Sequence, residues 1–462
     1  MVVIGEPNAM FAGGLRLPVA AQHLRAATNE GLVSLDAAGQ VVPAIAERWI
    51  VADDGLSYIF RLRDSNWPDG EPITANDARD ALRETLNGLE GTSLGLDLAK
   101  ITDVRAMTGR VIEFRLSAPM PEFLRLLAQP ELGLVHDGSG AGPMVMSRDD
   151  ELELARLSAL PPQERGLPAR EDWQELARPM TARALPAQEA VDGFADGTFD
   201  LLLNGRLANF PMAELGPLSR GTVQVDPALG LFGLAIRSDA GVLSTPDRRE
   251  ALSMVIDRAE LIRPFGLGGW QPSTWIVPPL LFSPLQYPET RWSDLTLDER
   301  IEVARRRIAA WENETQDSAI VRVGLPEGPG SDLLFDQISV AWQAIGVSAV
   351  RVGMTADSDV MLLDRLARFS SPRWYLNQFH CSLDVALCSQ EADDIVRESL
   401  SITDPVAKQA LFADAHSELM ALEAFIPLGA PVRWSLVRGA VRGYEANPWG
   451  LHPLFPISEP TI

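Results

Sequence analysis

Lysine, cysteine and histidine are scarce in this sequence, and long apolar runs are absent. Lysine occurs only at Lys100 and Lys408, so almost all of the 40 basic residues are arginines. No run of about eighteen apolar residues occurs, which argues against a transmembrane helix. The five histidines form no pair of ligands on one helix face. The sequence therefore predicts no metal site and no cofactor.

The two cysteines, Cys381 and Cys388, lie seven positions apart. This spacing allows a disulfide in an oxidising compartment. We favour the alternative of two unpaired, partly buried thiols. His380 precedes Cys381, but the four ligands that a zinc site requires do not gather here.

The chain is acidic, with 63 acidic and 40 basic residues and a net charge of −23. Nucleic acid and anionic membrane surfaces would be repelled, so neither is expected as a partner. A length of 462 residues predicts two or more domains or lobes. The opening residues MVVIGEPNAMF lack the basic segment and long apolar stretch of a secretory signal, and we expect Val2 to Ile4 to form a buried first strand.

A strand, a turn and a capped helix are predicted between Pro43 and Leu82. Apolar residues alternate with others in this strand, and its apolar face consists of Leu56, Tyr58, Phe60 and Leu62. After the turn at 68–70, Thr74 and Asp77 are spaced as a capping box at the start of a helix.

Helices and strands alternate in the second half of the chain, which indicates an α/β fold. Between Asp298 and Val360 the order helix, strand, helix, strand predicts a mostly parallel sheet with flanking helices. Thr245 and Asp404 each precede a proline and are predicted to cap helices. By contrast, the charged, proline-rich stretch from Asp149 to Arg170 is expected to be irregular and exposed.

Six segments in the same order resemble one protein family. The resemblance covers nearly the whole chain, through residues 43–82, 111–128, 140–146, 190–203, 233–262 and 408–450. These segments are similar to the extracytoplasmic solute-binding proteins of peptide-type ABC importers (family 5, the oligopeptide, dipeptide and nickel-binding proteins). No segment is diagnostic alone, but the whole series identifies the chain as a member of this family.

The resemblance implies a two-lobed periplasmic-binding-protein-like fold of type II, with an extra α+β subdomain inserted in lobe I. Lobe I is then expected over residues 1–42, 144–237 and 428–462, with the inserted subdomain over 43–143 and lobe II over 238–427. Crossings near Arg237 and Pro427 are expected to form a hinge, so that a solute is held in a cleft that closes on it.

The resemblance also indicates ligand-binding residues, with one departure from the family pattern. Peptide binders of this family commonly place an aspartate of lobe II against the amino group of the ligand. Arg368 stands at that position here, which leads to the hypothesis that the ligand lacks a free amino group there, or presents a carboxylate or phosphate that Arg368 holds through two hydrogen bonds. Two alternatives stay open: Asp364 is the anchor, or Arg368 is a solvated surface residue.

Tryptophans in expected loops or strand ends are the remaining candidates. Trp374 and Trp434 are preferred as walls of the cleft, since aromatic walls suit broad contact with few fixed polar groups. Trp270 and Trp275 are further candidates, and Arg433 is a second candidate anion contact. For any single tryptophan, packing in the core remains the alternative. His416 is expected on a helix surface, although a role with a nickel chelate is conceivable.

We therefore predict a solute-binding protein without enzymatic activity, acting as a monomer that delivers a peptide or peptide-like molecule to an ABC permease of the inner membrane. The implied location is periplasmic or otherwise extracytoplasmic, although the sequence contains no recognisable signal. The alternatives are a ligand sensor or periplasmic chaperone uncoupled from transport, and a binder of a non-peptide solute such as an anion, an opine-like compound or a metal chelate. An enzyme on a similar scaffold is the least favoured alternative, because no nucleophile–base set is evident.

Overall fold

The computed structural model describes residues 1–213, 221–282 and 291–458. The chain divides into two compact units. Unit 1 comprises Met1–Gly205, Met212–Ala228 and Val432–Ile462, and unit 2 comprises Arg206–Pro211 and Leu229–Pro431. Unit 2 is thus almost continuous in sequence, whereas unit 1 is assembled from three segments.

The strands, in chain order, are β1 (Val2–Ile4), β2 (Val33–Leu35), β3 (Val41–Pro43), β4 (Ala46–Val51), β5 (Ser57–Leu62), β6 (Ile101–Thr108), β7 (Val111–Leu116), β8 (Val135–His136), β9 (Ser139–Gly140), β10 (Met144–Asp149), β11 (Leu154–Ala159), β12 (Met180–Leu185), β13 (Leu201–Arg206), β14 (Val223–Asp226), β15 (Gly230–Ile236), β16 (Ile320–Gly324), β17 (Ser348–Val352), β18 (Val360–Leu366), β19 (Phe425–Gly429) and β20 (Arg433–Val437).

The α-helices are α1 (Val19–Thr28), α2 (Ala75–Gly88), α3 (Ser93–Asp97), α4 (Phe123–Leu127), α5 (Trp173–Leu176), α6 (Ala187–Ala195), α7 (Pro246–Met254), α8 (Arg258–Ile262), α9 (Leu297–Thr315), α10 (Pro329–Gln343), α11 (Pro372–Asn377), α12 (Gln390–Ser399), α13 (Pro405–Leu422) and α14 (Leu454–Ser458). None of the helices within the described ranges is both long and apolar enough to cross a membrane.

Unit 1 contains a seven-stranded sheet in the order β10-β11-β12-β1-β13-β20-β14. The strand β1 lies between β12 and β13 and is parallel to both. Val2 and Val3 are fully buried, which confirms the predicted buried first strand. On one side of this sheet, Leu24 of α1 and Leu203 of β13 belong to the same apolar cluster.

A separate four-stranded antiparallel sheet, in the order β4-β5-β7-β6, accounts for the block first singled out in the sequence. Tyr58, Phe60 and Leu62 are buried on one face of β5, as the alternation predicts. The capping box is confirmed at the start of α2: the Thr74 hydroxyl accepts from the Asp77 N–H, and the Asp77 carboxylate accepts from the Thr74 N–H.

Unit 2 is built on a five-stranded sheet in the order β17-β16-β18-β15-β19. The strand β16 is parallel to β17 and β18, as the helix–strand alternation predicts. The strand β15 lies between β18 and β19 and is antiparallel to both. This pairing holds β15 in unit 2, so the main segment of unit 2 begins at Leu229, before the crossing expected near Arg237.

Two local predictions differ from the structure. The stretch from Asp149 to Arg170 is not wholly irregular, because β11 lies within it and pairs with β10 and β12. Leu154, Ala155 and Leu157 of β11 are buried. Charged residues on both sides of these three made the apolar pattern of the strand hard to recognise in the sequence. The helix α7 begins at Pro246 as predicted, but the Thr245 side chain makes no capping hydrogen bond.

Candidate functional site

The candidate site lies in unit 2, at the end of β18 and the start of α11. The Ser371 hydroxyl accepts a hydrogen bond from the Arg373 N–H, and Pro372 occupies the first turn, so α11 begins after a five-residue connection from the end of β18. All six residues of this short helix are buried. The connection that follows β18 therefore leads into a helix that is buried along its whole length.

The path of β18 at this point depends on a glycine of β15. Gly230 has a φ of 151°, and a Cβ atom there would overlap the carbonyl oxygen of Arg365. Only glycine permits this approach of the two strands without displacing the backbone. Gly230 therefore fixes where the Arg365 backbone lies relative to β15.

The guanidinium of Arg365 is held by a neutral side chain. Its Nη1 donates to Oε1 of Gln378 at 3.1 Å, and Nε2 of Gln378 donates to the carbonyl of Trp374 at 2.9 Å. Gln378 is only 1% exposed, so its amide is fixed at both ends inside the protein. Burial lowers the pKa of Arg365, and the nearby positive charge of Arg368 lowers it further.

A cavity of about 540 Å³ opens beside this segment, within unit 2. Its wall includes apolar residues of β15 and β18, together with three arginines and three carboxylates. The charged lining residues are Arg206, Arg237, Arg365, Glu327, Asp364 and Asp384. The volume lies in the range of about 300–1,000 Å³ typical of sites for small molecules.

The predicted site residues of unit 2 fall in two places. Asp364 lines the cavity, Arg368 lies near enough to Arg365 to affect its pKa, and Trp374 is buried in α11. Trp270 and Trp275 lie elsewhere in unit 2: Nε1 of Trp270 donates to the carbonyl of Ala430, and the ring of Trp275 lies 5.6 Å from that of His416.

Two further predicted residues, Arg433 and Trp434, lie in β20 of unit 1. Arg433 is buried, and its Nη1 donates to the carbonyl of Val432 at 2.9 Å. Trp434 is fully buried, and a Cβ atom at Gly205 would overlap its indole ring. Trp374 is also only 1% exposed. The suggestion that these two indoles form walls of a ligand site stays a prediction.

The cysteines form a disulfide, so the expectation of two unpaired thiols is wrong. The bond joins Cys381 to Cys388, whose Cα atoms lie 5.2 Å apart. The chain turns back within this segment because Asp384 adopts a positive φ of 49° after one short helical turn. Asp384 and Val385, inside the loop that the disulfide closes, line the cavity.

A second group of charges in unit 2 is buried around the end of α13. Glu423 pairs with Arg291, which also lies 3.3 Å from Glu250. Glu250 additionally accepts from Arg307 at 2.7 Å and is held by Trp292. Burial raises the pKa of Glu423 to about 7, against the opposing effect of Arg291.

His416 of α13 is 4% exposed, so the expectation of a surface residue is wrong. Its ring lies against Trp275 and Phe282, and burial lowers its pKa to about 4. The side chain is therefore a neutral member of an apolar cluster at pH 7. Across the described parts of the chain, no group of three or more histidine, cysteine, aspartate or glutamate side chains could hold a metal ion.

Sequence reasoning missed Arg365, Gln378 and Arg237. One signal for Arg365 was present: polar residues at 364 and 365 directly follow the apolar run Met361 to Leu363. Gln378 and Arg237 carried no local signal, because their positions at the cavity depend on the pairing of β15 with β18 and on the docking of α11.

Comparison with known proteins agrees with this fold. Residues 40–158 match the family of bacterial extracellular solute-binding proteins, family 5 middle region. The periplasmic oligopeptide-binding protein of Escherichia coli (strain K12) is 23% identical over 464 residues, covering 90% of this chain and 84% of that protein. A probable deoxycholate-binding periplasmic protein of the same organism is 37% identical over 121 residues, covering 22% of this chain and 23% of that protein.

The fold is also that of a solved structure. The oligopeptide-binding protein OppA of Haemophilus influenzae, in complex with RPPGFSPFR, superposes with a TM-score of 0.83 at 19% identity. The match covers 99% of this chain and 98% of that one. The fold is therefore the two-lobed α/β fold of type II.

The chain is therefore similar to the bacterial extracellular solute-binding proteins of family 5, through the middle region of that family at residues 40–158 and through relatives that match most of its length. Its role is the binding of a solute, and the family and its neighbours are binding proteins rather than enzymes.

Proposed function

We propose that this protein is the extracytoplasmic solute-binding component of an ABC importer, which captures a peptide or peptide-like small molecule and delivers it to a membrane permease. The observation that carries the proposal is the cavity beside β18, where charged side chains converge on a space of about 540 Å³ in a fold of this family. Such a space accommodates a small solute and fixes it through a few polar contacts. Closure of the two lobes on the solute stays a prediction from the family resemblance.

The periplasmic relatives support the location and the class of solute. A relative that matches 90% of the chain is named for oligopeptide binding, and a shorter match is named as a probable deoxycholate-binding protein. A peptide or a compact organic acid is therefore the first solute class to test. Binding without chemical change distinguishes this role from that of an enzyme.

The test is isothermal titration of the purified chain with di- and tripeptides, opine-like acids and bile acids. We expect at least one compound to bind at a ratio of one to one and to be recovered unchanged by mass spectrometry. Ala208 lines the cavity, so Ala208→Phe is expected to weaken binding at least tenfold. Ala310→Phe, on the exposed face of α9, is the matched control and should bind as the wild type does.

A second measurement addresses delivery. The loaded protein is expected to stimulate ATP hydrolysis by its permease reconstituted in vesicles, whereas the unloaded protein should stimulate it less. Solute binding with no stimulation of any permease encoded beside the gene would contradict the importer role and favour a sensor.

A further inference from the structure

The side chain that positions Arg365 is the neutral amide of Gln378, and not a carboxylate that would neutralise its charge. The described structure gives its guanidinium one side-chain acceptor, Oε1 of Gln378, and that amide is buried and held in turn by the Trp374 carbonyl. An arginine oriented in this way keeps its full positive charge and still has further N–H groups to donate.

The surroundings of Arg365 make that charge unfavourable. The guanidinium is largely removed from water, and its pKa is lowered first by burial and then by the neighbouring charge of Arg368. Two like charges side by side at a partly buried position repel each other. An anion beside Arg365 would relieve both effects at once.

The cavity beside Arg365 supplies room for such an anion. Arg237 also lines it, and Nη1 of Arg237 lies 3.8 Å from Sδ of Met361, which is a weak acceptor. The cavity carries three carboxylates as well as three arginines, so its lining has no net charge. This balance disfavours a solute with several negative charges and fits a solute with one anionic group on an otherwise neutral or zwitterionic body.

We propose, on the basis of the function proposed above, that the solute carries one anionic group with paired oxygens, a carboxylate or a phosphonate, and that Arg365 binds this group in the cavity. Gln378 is the positioning residue that fixes the guanidinium. Arg368 adds positive charge beside it. The planar guanidinium suits two parallel hydrogen bonds to such a group.

The experiment compares matched pairs of compounds that differ only in this charge. The probes are N-acetylated di- and tripeptides and opine-like acids, each with its primary amide and its phosphonate analogue, titrated calorimetrically into the full chain. We expect the acids to bind about 10- to 100-fold more tightly than the amides, the ratio that charge-assisted hydrogen bonds produce. The phosphonates distinguish the two chemical sources of the anion.

Three variants locate the effect. Arg365→Gln removes the charge and is expected to abolish the preference for acids. Gln378→Glu keeps an acceptor and adds the missing carboxylate, so it should abolish the same preference even where Arg365→Gln does not fold. Arg397→Gln makes the same change of charge on an exposed residue of α12, paired with Asp394, and should leave the preference intact.

The outcomes separate this inference from the proposed function. Acids and amides that bind equally to the wild type, or a preference that survives both Arg365→Gln and Gln378→Glu, would overturn the inference and leave solute binding standing. If no probe binds the wild type in either form, the proposed function fails, and the inference fails with it.

Discussion

Removal of the Cys381–Cys388 disulfide is expected to destabilise unit 2 measurably. The bond closes a loop of eight residues, counted from Cys381 to Cys388. The chain-entropy description gives about 2.5 kcal/mol for a loop of that length at 25 °C. Unit 2 contains about 200 residues, for which 1 kcal/mol corresponds to about 2–4 °C in Tm, so the expected decrease is about 5–10 °C.

The loop has other attachments, so the variant without the disulfide is expected to fold. The N–H of Leu387 donates to the carbonyl of Ile236 at 2.7 Å, and the N–H of Cys381 donates to the Asp393 carboxylate at 3.0 Å. These bonds hold both ends of the loop against β15 and α12. The loss of stability should therefore arise chiefly from the added freedom of the unfolded chain.

The assay is thermal and urea unfolding of the wild type and of the double variant Cys381→Ser/Cys388→Ser, each with and without dithiothreitol. The wild type should lose stability in the reductant, and the double variant should be insensitive to it. Two free thiols in the denatured, unreduced wild type would refute the reasoning. So would equal Tm values for the wild type and the double variant.

Two predictions concern buried residues outside the cavity. Burial raises the pKa of Glu423 from 4.5 to about 7, so the folded state retains a proton that the unfolded state loses, and the stability due to this group should fall as the pH rises from about 5 to 8. Across that range the urea midpoint of Glu423→Gln should decline less than that of the wild type. An equal decline in the two proteins would contradict the raised pKa of Glu423. A methyl group at Gly205 would overlap the indole of Trp434, so Gly205→Ala is expected to reduce stability by about 1–3 kcal/mol. Gly109→Ala, where the space is open, is its control in the same unit, and equal urea midpoints for the two variants would contradict the prediction.

Local signals in the sequence were sufficient for much of the secondary structure. The capping box of Thr74 and Asp77 is formed by residues three positions apart, and the Asp404 carboxylate caps α13 through the N–H of Ala407. Such contacts depend little on the rest of the chain. The strand β11 was missed because its burial comes from pairing with β12, more than twenty residues away, and not from a clear local alternation.

The candidate site was harder to predict, because it is made by distant parts of the chain. Arg365 meets Gln378 only because α11 folds back against the end of β18. Arg237 reaches the same cavity through β15, which pairs with β18 across more than a hundred residues of sequence. The family resemblance pointed to the segment that holds Asp364 and Arg368, but it could not show that Arg365 also lines the cavity.

The position of β20 has a consequence for synthesis. This strand lies between β13 and β14 in the sheet of unit 1, although it follows them by about two hundred residues. During translation, β14 therefore cannot pair with β20 until nearly the whole polypeptide has left the ribosome. The strands of unit 2 all lie between Gly230 and Gly429, so unit 2 can complete its sheet before β20 is made. A truncation that removes only the last thirty residues should therefore leave unit 2 folded and unfold unit 1, although unit 1 begins earlier in the chain.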